Sequence, residues 1–180
     1  VSILISAYNE EAVIERKIQN ILELDYPKDK LEVLIGDDGS ADKTAEIVAR
    51  YADKGITLVK APKNAGKAAM LNRLNKIAKN DILLFCDANT MFFPNVVRKL
   101  VIPFQDKKIG CACGHLILSD KSGSTLGRGE SSYWFLFCCN YFINLLIESV
   151  CLFLDYSLCV FAYILRKTLF LEFLVGVNYI

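Results

Sequence analysis

Four short polar clusters carry most of the side chains able to do chemistry in this 180-residue chain: Ala7-Tyr8-Asn9-Glu10, Asp37-Asp38-Gly39-Ser40, Pro62-Lys63-Asn64-Ala65-Gly66-Lys67 and Asp87-Ala88-Asn89. Singly, each reads as turn chemistry, because Asp-Gly and Asn-x-Gly favour loops. Jointly they offer several carboxylates, an aromatic ring and lysine, a set suited to a nucleoside diphosphate. An aromatic beside an acid can hold a base and its ring N–H donors. A lysine at a helix start adds positive charge where backbone N–H groups already favour phosphate. A carboxylate at a strand tip can hold a divalent cation, Mg²⁺ or Mn²⁺, that bridges two phosphates.

The elements that must position these clusters are legible as well. The runs Val1 to Ser6, Leu31 to Ile35, Ile56 to Val59 and Ile82 to Cys86 are short and largely apolar, as strands covered on both faces should be. Between them, Ile14, Ile18, Ile21 and Leu22 mark a helix following Asn9, with Glu10 and Glu11 in its acidic first turn. Ser40 reads as the N-cap of a second helix reaching about Ala52, and Met70, Leu74, Ile77 and Ala78 form the stripe of a third that begins near Gly66. A further helix follows Pro94 from Asn95 to near Phe104, and Ile109 to Leu118 reads as a strand. Alternating strands and helices of this length predict a parallel sheet, whose ligands bind outside the carboxyl ends of the strands. Each of the four clusters follows one of the four strands, and so falls on that rim.

Other chemistries fail on residue identity. In a phosphate-binding Walker loop, Ala61 would stand where the first glycine belongs and Ala68 where the hydroxyl belongs. No Gly-x-Gly-x-x-Gly follows a strand, and nothing local presents a nucleophile elbow to His115, the single histidine. Cys111, Cys113 and His115 lack a Cys-x-x-Cys pair to complete a zinc site. A formal net charge of +1 with 23% charged residues argues against nucleic acid as a partner.

In order, VSILISAYNEE, VLIGDDGSADKT, KNAGKAAMLN and ILLFCDANT resemble the donor half of the inverting family 2 glycosyltransferases, the group of cellulose, chitin, hyaluronan and poly-N-acetylglucosamine synthases. The resemblance covers about residues 1 to 135 and includes GRGESSYW near its end. It implies a GT-A fold, an α/β class with a Rossmann-like, mostly parallel sheet flanked by helices. It also implies transfer of a sugar from a nucleotide-diphosphate donor, a UDP-sugar, to a glycan or lipid-linked acceptor. By position, Ala7, Tyr8 and Glu10 match the nucleoside-lining stretch, Asp38 the carboxylate that contacts the base, and Lys67 the basic residue near the nucleotide. Asp87, Ala88 and Asn89 occupy the Asp-x-Asp positions that hold the sugar nucleotide through a divalent metal. Asn89 departs from that pattern by offering a neutral oxygen. The catalytic base of the family is an acid further along, and Asp155 is a weak substitute set among Leu152, Phe153, Leu154 and Tyr156.

Residues 133–180 differ in composition. They hold five of the 41 charged residues and 13 of the 20 aromatics, with no glycine between Gly129 and Gly176. The apolar part of the longest uncharged stretch, Trp134 to Ile147, is 14 residues, shorter than a spanning helix needs. It reads as an interfacial or partner-packed helix in preference to a buried one or a span. Residues 119–129, rich in Ser, Gly and Lys, read as a loop between the α/β part, 1–132, and this apolar, acceptor-side or membrane-associated segment. Phe161-Ala162-Tyr163 through Arg166-Lys167 resembles the family's strand and basic exit. The chain opens directly in a strand-like run with no signal peptide, which suggests an excerpted or processed chain, and its seven cysteines fit a reducing compartment. The expected location is the cytoplasmic face of a membrane. A non-catalytic nucleotide-sugar-binding fragment is the main alternative, and a sugar-1-phosphate nucleotidyltransferase a weaker one.

Overall fold

The computed structural model describes residues 1–107, 109–113, 150–153 and 162–166. In chain order the elements are β1 (Ser2–Ala7), α1 (Ile14–Leu22), β2 (Glu32–Asp37), α2 (Thr44–Ala49), β3 (Ile56–Lys60), α3 (Lys67–Ile77), β4 (Ile82–Asp87), α4 (Val96–Val101), β5 (Ile109–Cys113), β6 (Val150–Phe153) and β7 (Ala162–Arg166). All seven strands join one sheet in the order β3-β2-β1-β4-β7-β5-β6. The first four are mutually parallel. β7 enters antiparallel between β4 and β5, and β6 pairs parallel to β5 at the edge. The mostly parallel, helix-flanked sheet expected from the alternation is therefore present.

The strands read as continuous apolar runs because both faces are covered. Ile3 and Ile5 of β1, Val33 and Ile35 of β2, and Leu84 and Cys86 of β4 share one core with Ile14, Ile18 and Ile21 of α1, Ile47 and Val48 of α2, and Val97 and Leu100 of α4. Fully burying each such aliphatic side chain is worth about 1.5–3 kcal/mol. On the other face α3 lies against β1 and β2. Its Met70 and Leu74 pack where Gly36 offers no side chain: a Cβ there would overlap Met70 Sδ and stand 3.3 Å from Leu74 Cδ1.

Several local expectations change. Ser40 caps no helix: α2 starts at Thr44, and the Ser40 hydroxyl instead accepts the Asn9 N–H at 3.0 Å. The cap-like bond comes from Asp42, whose Oδ1 accepts the Thr44 N–H at 2.9 Å. α2 stops at Ala49 because a tight 3₁₀ turn, Ala52–Lys54, ends in left-handed Gly55. Glu10 and Glu11 precede α1, which is entered through a turn closed by the Val13 N–H on the Glu10 carbonyl. On α3, Ile77 is 46% exposed while Met70, Leu74 and Ala78 are buried, so the stripe runs through Leu71 and Asn75 instead. The helix after Asn95 is α4 followed by a 3₁₀ segment, Ile102–Gln105. The strand expected at Ile109 is present over Ile109–Cys113, and the one expected near Ala162 is β7. The loop at 119–129, GRGESSYW, the apolar stretch 134–147, His115 and Asp155 lie outside the described residues. Among the described residues, no helix is long and apolar enough to cross a membrane.

Candidate nucleotide-sugar site

Register places the four strand ends level. Ala7 pairs with Asp37, Asp37 with Lys60, and Ser6 with Asp87, so the loops that follow all leave the same edge of the sheet. Strand order also reverses here. β2 and β3 build outward on one side of β1 and β4 lies on the other, which makes the β1/β4 boundary a topological switch point where a crevice opens. A cleft of about 300 Å³ lies there, lined by Ser6, Tyr8, Glu10, Asp38, Asn64, Gly66, Lys67, Asp87, Ala88 and Asn89. Residues as distant in sequence as Tyr8, Asp38, Lys67 and Asp87 therefore share one cavity.

Hydrogen bonds and an ion pair join the loops in series. Asn9 takes a left-handed φ of 55°, tolerable for a short polar side chain that bonds locally, and its Oδ1 accepts the Ala41 N–H at 2.9 Å. Glu10 N–H donates to the Thr44 hydroxyl at 2.8 Å, and Glu11 N–H to Asp42 at 3.0 Å. The first loop is thus fixed to the second, with Tyr8 left half exposed at the rim. The second loop is fixed to the third by Asp38. That residue is 2% exposed, and its carboxylate accepts the N–H groups of Ala65, at 3.1 and 3.2 Å, and of Gly66, at 2.7 Å. Gly39 belongs to the same junction, since its missing Cβ lets the backbone of Lys63 and Asn64 approach.

Asp38 consequently does more than line the cleft. It uses two backbone N–H groups at the entry to α3 that were expected to favour phosphate, and so holds Gly66 at φ 91° and ψ 157°, a conformation almost confined to glycine. Lys67 then starts the helix as expected, and its ammonium pairs with the Asp87 carboxylate across the cleft. That ion pair joins the third loop to the fourth. Ala7 is the candidate that does not reach the lining. It is buried, and its carbonyl accepts the Asp38 N–H at 2.9 Å.

Asp87 and Asn89 suit a hard divalent cation in kind, since both present oxygen and Asp87 already attracts a cationic group. They are too few to cage one alone, and no group of three His, Cys, Asp or Glu among the described residues could do so. The donor set therefore fits Mg²⁺ or Mn²⁺ shared with a diphosphate. Ser6 also lines the cleft and was not singled out from the sequence, and Asn64 and Gly66, named within the third cluster but given no role there, line it too. Two residues behind it, Lys17 and Asn20, were missed as well. Lys17 had a visible signal, a lysine three residues after Ile14 and four before Ile21 on an otherwise apolar stripe.

The fold is of the GT-A class, with a polar cleft at the switch point of its sheet. The chain belongs to glycosyl transferase family 2, whose model matches residues 2–169. It is 38% identical over 114 residues to a beta-monoglucosyldiacylglycerol synthase of Trichormus variabilis, covering 61% of this chain and 24% of that protein. It is 33% identical over 130 residues to a poly-beta-1,6-N-acetyl-D-glucosamine synthase of Staphylococcus aureus, covering 71% and 31%. Among solved structures, the mannosyltransferase PcManGT of Pyrobaculum calidifontis, in complex with GDP-Man and Mn²⁺, superposes with a TM-score of 0.61 at 33% identity, over 64% of this chain and 35% of that one. The chain thus spans about a quarter to a third of the length of the curated relatives it matches.

Proposed function

We propose that the cleft binds a nucleotide-diphosphate sugar, a UDP-sugar, and that the chain is the donor-binding part of an inverting transferase that passes the sugar to a glycan or lipid-linked acceptor. The observation that carries this reading is the convergence of Tyr8, Asp38, Lys67 and Asp87 on one cavity. Tyr8 offers an exposed ring for the base to stack on. Asp38, fixed by its bonds to Ala65 and Gly66, retains acceptor capacity for a base N–H, because a carboxylate has about four lone-pair sites. Lys67, at the N-terminus of α3, places positive charge where the leaving diphosphate accumulates negative charge. Asp87 and Asn89 would hold a divalent cation, which supplies charge neutralisation on the diphosphate when bound.

The names of two relatives support the acceptor class, one a synthase of a glycosylated diacylglycerol and the other of a glycan. A diacylglycerol acceptor also supports work at a membrane surface, with the apolar residues 133–180 as the candidate contact. Titration calorimetry with UDP and Mn²⁺ tests the donor reading. Asp87→Ala should weaken binding in Mn²⁺ about 10-fold or more, because it removes the carboxylate expected to hold the cation against the diphosphate. Unchanged affinity in that variant contradicts the assignment.

A further inference from the structure

The buried stripe of α1 contains one lysine, and it lies directly behind the Asp87 loop. Lys17 is 0% exposed. Its ammonium donates to the Thr90 carbonyl and stands 3.6 Å from the centroid of the Phe92 ring. The Cys86 thiol is beside it and the Asp87 carboxylate is within electrostatic reach. Burial pushes the ammonium's pKa down, while Cys86 and Asp87 draw it back up. One turn further, Asn20 grips the same segment at both backbone groups of Phe92: its Oδ1 accepts the N–H at 2.7 Å and its Nδ2 donates to the carbonyl at 2.9 Å. Helix α1 therefore holds residues 90–92 from inside the core, immediately after Asp87-Ala88-Asn89.

Desolvating an ammonium costs several kcal/mol, and an apolar side chain of similar volume would fill the space without that penalty. What an apolar side chain would not supply is a bond to the Thr90 carbonyl and a buried positive charge within reach of Asp87. Lys67 pairs with that carboxylate from the cleft, while Lys17 is buried beneath the same loop, bonded to Thr90 three residues after Asp87. We propose that Lys17, seconded by Asn20, is a positioning residue of the donor site, fixing the loop that aims Asp87 and Asn89 at the cation-bound diphosphate. The inference rests on the nucleotide-sugar reading above.

The test is the ratio of UDP affinity in Mn²⁺ to UDP affinity in EDTA, measured by calorimetry on wild type and on Lys17→Met. Groups that orient metal ligands from behind are worth about 10- to 100-fold in metal affinity, so the ratio should fall by that factor while the EDTA affinity stays near wild type. An equal loss under both conditions, or an unchanged ratio, overturns the proposal by showing a merely structural lysine. If Lys17→Met does not fold, Asn20→Ala, at a half-buried position, carries the same two outcomes. A wild type that binds no UDP, or binds it without regard to Mn²⁺, contradicts the underlying site assignment, and is thereby distinguished from failure of the Lys17 role alone.

Discussion

Substituting Gly39 by alanine probes the junction between the second and third loops, on which the shape of the cleft depends. Gly39 has φ of 75°, and a Cβ there would stand 2.7 Å from both Asn64 N and the Lys63 carbonyl carbon, and 2.9 Å from Lys63 Cα. The left-handed backbone costs an L-residue about 1–2 kcal/mol. The overlap is with main chain, which cannot rotate away as a side-chain tip can, and overpacking of this kind adds about 1–3 kcal/mol. The expected loss is thus about 2–5 kcal/mol. Gly55→Ala is the internal control: φ is 83°, but nothing lies within 4 Å, so only the backbone contribution applies. Urea unfolding of both variants separates the two effects. Relief of the overlap also draws Ala65 and Gly66 away from Asp38, so UDP affinity should fall in Gly39→Ala and hold in Gly55→Ala. Equal destabilisation of the two variants, with wild-type nucleotide affinity in both, would refute the reasoning.

Three further outcomes are expected. Tyr8→Ala should weaken nucleotide binding by about 1–3 kcal/mol, the worth of a base–aromatic stack, with little change in unfolding midpoint because the ring is half exposed; calorimetry and urea melts check both halves. The Asp42 carboxyl lies below its ordinary pKa: desolvation would raise it, but bonds from the Thr44 hydroxyl and from the Thr44 and Glu11 N–H groups outweigh that. A depressed carboxylate stabilises the fold above its unfolded pKa of 3.8 and loses that contribution as pH falls through the folded value. Asp42→Ala should therefore lower the urea midpoint at about pH 7 and lower it less at about pH 3, and a constant gap would contradict this. Arg98→Ala, which removes an ion pair to Asp25 at 3.0 Å between side chains more than half exposed, should change stability by no more than about 1 kcal/mol, measured in the same melts.

Much of the first 107 residues was legible because the physics there is local. Strands covered on both faces have to be continuous apolar runs, so β1 to β4 start and stop within a residue or two of the sequence reading. Each run also ends in a cluster that could not be buried, and parallel pairing then brings those clusters to one edge. The failures came where a residue's partner is distant. Ser40 suits a helix N-cap by type, yet bonds to Asn9, 31 residues away in sequence. The bonds from the Ala65 and Gly66 N–H groups to Asp38, 27 and 28 residues away, were equally invisible, although Asp38 itself had been singled out as the residue that contacts the base. The place of β6 beside β5 depends on a pairing across some forty residues that no periodicity reveals. Lys17 escaped notice because a lysine is ordinarily assigned to solvent.

The most direct measurement of the central claim is amide chemical-shift mapping of the chain during titration with UDP and Mn²⁺. One shared saturation curve for Tyr8, Asp38, Gly66, Lys67 and Asp87, with distant reporters such as Gly55 unmoved, is the predicted result. Shifts that are absent at these five positions, or that saturate independently of one another, would contradict a single nucleotide-diphosphate site.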